Sequence, residues 1–215
     1  MMGFLSKWFK KREPELRQIH SLKQLQLGDM ITLDDSFGLP PPLRSQTLVL
    51  EHVYCDEYQH TIDAIYWFKN QQGHAFRLVE HKDHLLLWLS LTRAQVEQVF
   101  AMDDFSEIFE PQGAMPLTPQ SLSNLPQLTP WIGQQYHRIS FAEFGYLHHQ
   151  DYRQQRPPQS DDHQGGQPFE RYFLESSDEQ HALLVQVMSS GETEVYLGIV
   201  RPQTDIQEFW PRGNP

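Results

Sequence analysis

The second half of this chain echoes the first in the order of its aromatic and apolar runs and polar turns, at an offset of roughly 107–110 positions with small gaps. Tyr66-Trp67-Phe68 precedes a polar turn and then His74-Ala75; Tyr172-Phe173-Leu174 precedes a polar turn and then His181-Ala182. The next runs are Phe76–Glu80 (FRLVE) and Leu183–Val187 (LLVQV), followed by Leu87–Leu91 (LWLSL) and Val195–Ile199 (VYLGI). Each run is short, rich in β-branched and aromatic residues and bounded by turn formers, which is how strands read. A shared strand period alone would not also reproduce the turn lengths. The sequence therefore predicts a mainly β (α+β) chain of two tandem similar antiparallel β modules, each closed by a short helix. The seam between them is expected to form a cleft, the natural place for a ligand or partner.

The remaining pattern fills in this scheme. Leu25–Asp34, Thr47–Tyr58, Thr61–Lys69, His74–Glu80 and Leu85–Leu91 read as strands of the first module, residues 20–110. Thr92 with Gln95 three residues later forms a capping-box pattern that opens a helix over Arg93–Met102, with Val96, Val99 and Phe100 inward. Five prolines (Pro111, Pro116, Pro119, Pro126, Pro130) make residues 111–130 a connector. The second module, residues 131–215, reads as strands over Tyr136–Phe144, Gly145–Tyr152, Phe169–Glu175, His181–Met188 and Glu194–Val200. Ser189-Ser190-Gly191 makes a hairpin turn. Residues 153–168, rich in Gln, Pro and Gly, read as a mobile loop. Pro202 suits a first helical turn, so Asp205–Trp210 is expected to be the second closing helix, with Ile206 and Phe209 inward.

Charge is unevenly spread. The chain carries 28 Asp and Glu against 17 Lys and Arg, a net −11. Residues 1–24 hold six Lys/Arg against two Glu, a local +4, and the remainder carries −15. An acidic body repels phosphates, so no nucleic-acid partner is expected. Mean hydropathy is −0.58, and no run approaches the roughly 18 apolar residues of a membrane-spanning helix. Lys7, Lys10 and Lys11 interrupt the apolar start too early for a signal peptide. The one cysteine, Cys55, has no partner for an internal disulfide, which fits a reducing cytoplasm.

Residues 1–19 form a basic amphipathic segment. Phe4, Leu5, Trp8 and Phe9 fall on one side of a short helix, with Lys7, Lys10, Lys11 and Arg12 on the other side and at its end. Aromatics opposite lysines are the composition of an interfacial anchor, so these residues are candidates for peripheral membrane contact. Packing of Trp8 and Phe9 onto the body, or a frayed end, is the competing expectation.

Candidate chemistry is sparse. Glu80-His81-Lys82-Asp83-His84 and His148-His149-Gln150-Asp151 gather potential metal ligands. On a regular strand His81 and His84 point to opposite faces, as do the adjacent His148 and His149, so neither pair is expected to share an ion. No HExxH or Cys/His zinc pattern, P-loop, GxGxxG or GxSxG occurs, and no catalytic residue or cofactor is expected. Asp56 and Glu57 beside Cys55 raise its pKa and blunt a thiolate. Paired acids such as Asp56-Glu57 and Asp103-Asp104 read first as solvated surface, and they also suit a polycation held between carboxylates and an aromatic wall. Tyr66, Trp67, Phe68 and Trp88 read as core.

The short basic start, the LGDMITLDDSFGLP segment (Leu27–Pro40), the aromatic Ile65–Phe68 strand and the closing VYLGIV…EFWP together resemble the YjfK-like family of uncharacterised bacterial proteins, across most of the chain. The resemblance carries no catalytic motif and no site residue. It implies an accessory role linked to the membrane or to polyamine conjugates. The expectation is a non-enzymatic, cytoplasmic accessory protein with a protein partner, peripheral to the membrane through its N-terminus. The alternative is a binding protein or weak enzyme for a small cationic, polyamine-like ligand at the inter-module seam.

Overall fold

A computed structural model describes residues 17–212 except 82, 114, 122 and 159–164. The N-terminal candidates Phe4, Leu5, Lys7, Trp8, Phe9, Lys10 and Lys11 lie outside the described residues.

Ten strands are present among the described residues: β1 (Met30–Leu33), β2 (Thr47–Tyr58), β3 (Thr61–Lys69), β4 (Ala75–His81), β5 (His84–Leu91), β6 (Tyr136–His148), β7 (Gln167–Ser176), β8 (His181–Met188), β9 (Thr193–Pro202) and β10 (Ile206–Trp210). Two short helices, α1 (Arg93–Val99) and α2 (Met102–Ser106), follow β5. Every strand pairing is antiparallel, in the order β10-β1-β2-β3-β4-β5-β9-β8-β7-β6, and β2 also pairs with β6. The strands β2 to β9 thus close into an eight-stranded barrel. One edge of β2 serves two partners: Thr47–Val49 bind β1, whereas Cys55–Tyr58 bind β6. The β1–β10 pair is therefore a flap extending from the barrel wall.

Closure explains the burial pattern. Ala182–Gln186 of β8 and Val195–Ile199 of β9 are buried without interruption, as a strand covered on both faces must be. One face turns into the lumen, where Ile65, Val79, Trp88, Ala182, Leu184 and Tyr196 cluster. The other joins a larger outer core in which Leu183, Val185, Leu197 and Ile199 group with Val96, Phe100, Phe105 and Trp131. The capping box at α1 forms as the sequence indicates: the Thr92 side chain accepts from the Gln95 amide, and the Gln95 side chain accepts from the Thr92 amide. Val96, Val99 and Phe100 are buried. Leu117, Leu128 and Trp131, in and just after the proline-rich stretch, are buried in the same core.

The second closing helix is not there. Gln203–Asp205 make one 3-10 turn and Ile206–Trp210 continue as β10, paired to β1 with Trp210 opposite Met30. Ile206 and Phe209 both pack on the outer core, a placement that five residues satisfy at either period. The unpaired edge of β1 decides for strand. The two strands expected over Tyr136–Phe144 and Gly145–Tyr152 are the single strand β6, which bends at register shifts near Ser140 instead of breaking. At the start of the 153–168 stretch, Arg153 donates to the carbonyls of Leu22, Lys23 and Leu25 and to both carboxylate oxygens of Asp151, which anchors that end.

Candidate functional site

The most distinctive chemistry lies in the barrel lumen. Asp56 on β2, Arg77 on β4 and Gln186 on β8 are all buried. These strands stand two, three and three places apart around the ring, so their side chains can meet only near the barrel axis. They do meet: Arg77 Nη2 donates to Asp56 Oδ2 at 2.5 Å, Arg77 Nη1 to Gln186 Oε1 at 2.8 Å, and Gln186 Nε2 to the same Asp56 oxygen at 2.9 Å. Burial opposes the Arg77 charge, but Asp56 and Tyr196 raise its pKa overall, so the guanidinium stays charged. Its plane lies 5.0 Å from the Tyr196 ring, and the Tyr196 hydroxyl donates to Glu194 at 2.8 Å. Asp56 Oδ1 and Arg77 Nε have no hydrogen-bond partner among the described residues.

A second polar group lies beside the first. Tyr58 donates to Asp63 at 2.6 Å, and Arg171 reaches across β6 to lie 4.4 Å from the Tyr58 ring while pairing with Glu143 at 2.7 Å. Burial raises the Asp63 pKa; the Tyr58 hydrogen bond and the Arg171 charge oppose but do not cancel it. Aromatic bulk fills the remaining lumen. Trp88 on β5 lies edge-on to Phe173 on β7, three strands away, with 6.2 Å between centroids. Gly198 makes this possible, since a Cβ there would fall 2.5 Å from the Trp88 ring.

A cleft of about 420 Å³ opens on the outside of β3, beside the β2–β6 junction. Tyr66 and Cys55 form its buried floor, Glu80 supplies a carboxylate, Asp63 borders it with its carboxylate held by Tyr58, and Tyr152 and Arg153 form one wall. All five Arg153 donors are engaged, so it acts as a clamp on the segment preceding β1. The Cys55 thiol is pushed up to about 12 by burial first, then by Asp56 and Glu57. It is not a nucleophile at neutral pH.

The structure separates most of the sequence candidates. Asp56 and Glu57 diverge: Asp56 enters the lumen and Glu57 accepts from His148 Nε2 at 3.1 Å outside it. His148 is buried facing Tyr152, whereas His149 packs edge-on to Tyr54. His81 and His84 correct the expectation of opposite faces. They are directly opposed cross-strand partners, on one face of the antiparallel β4–β5 pair. Among the described residues no group of three or more His, Cys, Asp or Glu is arranged to hold a metal ion. Arg77, Gln186, Tyr58, Asp63 and Arg171 escaped the sequence reading. The one signal was a lone polar residue inside an apolar strand, Arg77 in Phe76–Val79 and Gln186 in Leu183–Val187.

The exposed face of β6 is the other feature of note. Ile139 and Phe144 are 58% and 54% exposed, and Phe141 is also exposed. Here β6 has β7 on one side, while β2 takes up only Gly145–His148 on the other. The Phe141 ring is edge-on to Tyr172 and Tyr172 edge-on to Phe109, so the apolar surface continues toward α2. No helix among the described residues is long and apolar enough to cross a membrane. Comparison with protein-family models, with curated proteins and with solved structures gives no match, and so leaves the resemblance drawn from the sequence where it stood.

Proposed function

We propose that the chain is a non-enzymatic accessory protein of the cytoplasm that docks a protein partner on its outer surface, with its basic N-terminal segment touching an anionic membrane. The observation that carries this reading is the apolar stripe Ile139–Phe141–Phe144 on a half-free strand, since soluble monomers seldom leave large contiguous apolar side chains in water. The lumen supports it from the other side, because an interior filled by Trp88, Phe173 and the Arg77 network leaves ligand chemistry to the surface. Proximity labelling in cells, comparing the wild type with a Phe141→Ser/Phe144→Ser variant, tests the docking. A neighbour lost only from the variant supports it; an unchanged set of neighbours refutes it. Both side chains are already exposed, so the variant is expected to melt within a few degrees of the wild type. Co-sedimentation with anionic vesicles, with and without residues 1–12, tests the membrane contact, which should weaken with salt.

The cleft beside the β2–β6 junction favours a second reading, a site for a small cationic, polyamine-like ligand between Glu80 and the Tyr66 and Tyr152 rings. Lys23 at the rim weighs against it. Calorimetric titration with spermidine decides: no heat beyond dilution at low salt removes this reading.

We also infer that the two halves are copies. Leu89 and Leu197 are the middle residues of the matching LWLSL and VYLGI runs, and they face each other across the β5–β9 ladder, with Leu87 opposite Ile199 and Leu91 opposite Val195. Equivalent residues pairing about their own midpoint is what a pseudo-twofold axis produces. Superposing β2–β5 on β6–β9 in an experimental structure should match Tyr66 to Tyr172 and Leu89 to Leu197 together; a misfit at either pair ends the inference.

A further inference from the structure

The cleft beside the β2–β6 junction carries a charge pattern that neither a cation nor an anion matches. Among the described residues four charged side chains line it: Lys23, Asp63, Glu80 and Arg153. Two of these are engaged within the fold. Arg153 gives its donors to Asp151 and to the carbonyls of Leu22, Lys23 and Leu25, and the Asp63 carboxylate accepts from Tyr58. That leaves Lys23, on the segment preceding β1, and Glu80 on β4, one charge of each sign, with 3.9 Å between Nζ and Oε2. Charged partners that hydrogen-bond close to about 2.7–2.9 Å, so this pair attracts without bonding. Glu80 is nonetheless fixed, because its Oε1 accepts from Gln203 Nε2 at 2.9 Å. The Lys23 side chain is 74% exposed, and an ion pair of this kind opens at little cost. The rest of the lining is apolar or aromatic: Ile62, Ala64, Cys55 and the Tyr66 and Tyr152 rings.

We propose that this cleft binds a small zwitterion of the α-amino-acid class with a large apolar side chain. Its carboxylate meets Lys23, its ammonium meets Glu80 Oε2, and its side chain lies over Ile62, Ala64 and the Tyr66 and Tyr152 rings. The inference goes beyond the docking reading, which concerns the exposed face of β6, and it gives Lys23 a role that the cationic reading of the same cleft lacks. Sign selects the ligand class. A polyamine meets a like charge at Lys23 and an anion meets one at Glu80, whereas a zwitterion finds an opposite charge at each. Spacing agrees with sign. The ammonium and carboxylate of an α-amino acid sit on one carbon, about 3 Å apart by standard bond lengths. Set against Lys23 and Glu80 at 3.9 Å, they complete a square of alternating charges. The cleft volume of about 420 Å³ falls within the range of small-molecule sites, about 300–1,000 Å³. Two tyrosine rings in the lining favour an aromatic side chain on the ligand.

The test is calorimetric titration of the full chain with L-phenylalanine, with phenethylamine, which lacks the carboxylate, and with 3-phenylpropionate, which lacks the ammonium. Saturable binding of L-phenylalanine is expected, with each analogue weaker by about tenfold or more. Glu80→Gln and Lys23→Met should each weaken L-phenylalanine by about tenfold or more. The first keeps an acceptor for Gln203 and the second changes an exposed side chain, so both should retain the wild-type melting temperature. Lys23→Met should also narrow the gap between L-phenylalanine and phenethylamine, because it removes the charge that repels the amine. Equal binding of L-phenylalanine and phenethylamine by the wild type overturns the proposal, as does undiminished L-phenylalanine binding in both variants. Binding of spermidine without L-phenylalanine overturns it and leaves the cationic reading standing; binding of neither removes both. Proximity labelling with the Phe141→Ser/Phe144→Ser variant is independent of all these outcomes, so the accessory reading is decided separately.

Discussion

The barrel is closed twice, and the two closures differ in kind. At β5–β9 the ladder runs over eight registered pairs, His84 to Leu91 against Val195 to Pro202, with Leu87, Leu197 and Ile199 buried on its outer face and Trp88 on its lumen face. At β2–β6 the ladder holds four pairs, Cys55 to Tyr58 against Gly145 to His148, and its side chains are largely polar: Asp56, Glu57, Tyr58, Tyr146 and His148. Fully burying one Leu or Ile is worth about 1.5–3 kcal/mol, whereas an exposed charge pair contributes about 0–1 kcal/mol. The long seam therefore holds by burial and the short one by specific polar contacts. Gly145 marks the short seam's tolerance, since a Cβ there would lie 2.5 Å from the Glu57 carbonyl oxygen. The short seam depends on the lumen for its main support. Asp56, one of its four β2 residues, is tied through Arg77 and Gln186 to strands on the far side of the ring.

The largest expected effect comes from cutting that tie. Arg77→Met leaves Asp56 as a buried carboxylate with Gln186 as its remaining side-chain partner, and removing one member of a buried ion pair costs about 3–5 kcal/mol. Urea unfolding should show that loss, and the Asp56→Asn/Arg77→Met double variant should recover much of it. A double variant no more stable than Arg77→Met alone would mean the network holds the seam by shape and not by charge. Next in size is the long seam itself. Leu197 is fully buried, so Leu197→Ala should cost about 2–5 kcal/mol. Because this seam opens only when the whole barrel does, hydrogen exchange should speed up across every strand in that variant, while the wild type exchanges first at Cys55–Tyr58 and Gly145–His148. Equal protection at both seams in the wild type would break the comparison.

Much of this was legible in the sequence, for local reasons. The strands β2 to β5 and β7 to β9, the Ser189–Gly191 turn and the Thr92–Gln95 cap depend on neighbours a few residues away, and they stand within two residues of where the pattern puts them. Ile206–Trp210 was misread because Ile206 and Phe209, three apart in five residues, fit a helical period as well as a strand end. His81 and His84 were misread because strand alternation was carried through a turn that reverses the chain. Closure itself was not legible. It depends on β2 meeting β6, about ninety residues on, and no local pattern distinguishes that from two separate modules. The lumen network follows from closure: Asp56 beside Glu57 looks like a solvated pair until the ring defines an inside.

A smaller effect comes from pH. Asp63 is held protonated above the ordinary carboxylate range by its burial, so the native state binds a proton that the unfolded chain releases earlier. Its contribution to stability is complete below the ordinary carboxylate pKa and is lost as pH rises through the raised value. Asp63→Asn keeps an acceptor for the Tyr58 hydroxyl and has no charge to bury. The variant should match the wild type in acid and unfold at higher urea at about pH 8. A variant that is weaker than wild type at that pH would show that the ionised Asp63 is needed beside Arg171, and the burial argument would fall.

The smallest effect isolates the short seam's outer contact. His148 is buried and Glu57 is 38% exposed on its side chain, so replacing Glu57 by Gln removes a charge without opening a cavity and leaves an acceptor for Nε2. The expected cost is about 0–1 kcal/mol of global stability. Locally the same change should matter more, because this contact spans a ladder of only four pairs. Exchange at Cys55–Tyr58 and Gly145–His148 should accelerate in Glu57→Gln while the β5–β9 amides keep their wild-type rates. Uniform acceleration of both seams would mean that the two closures open together, and the barrel would then have one lock instead of a lock and a latch.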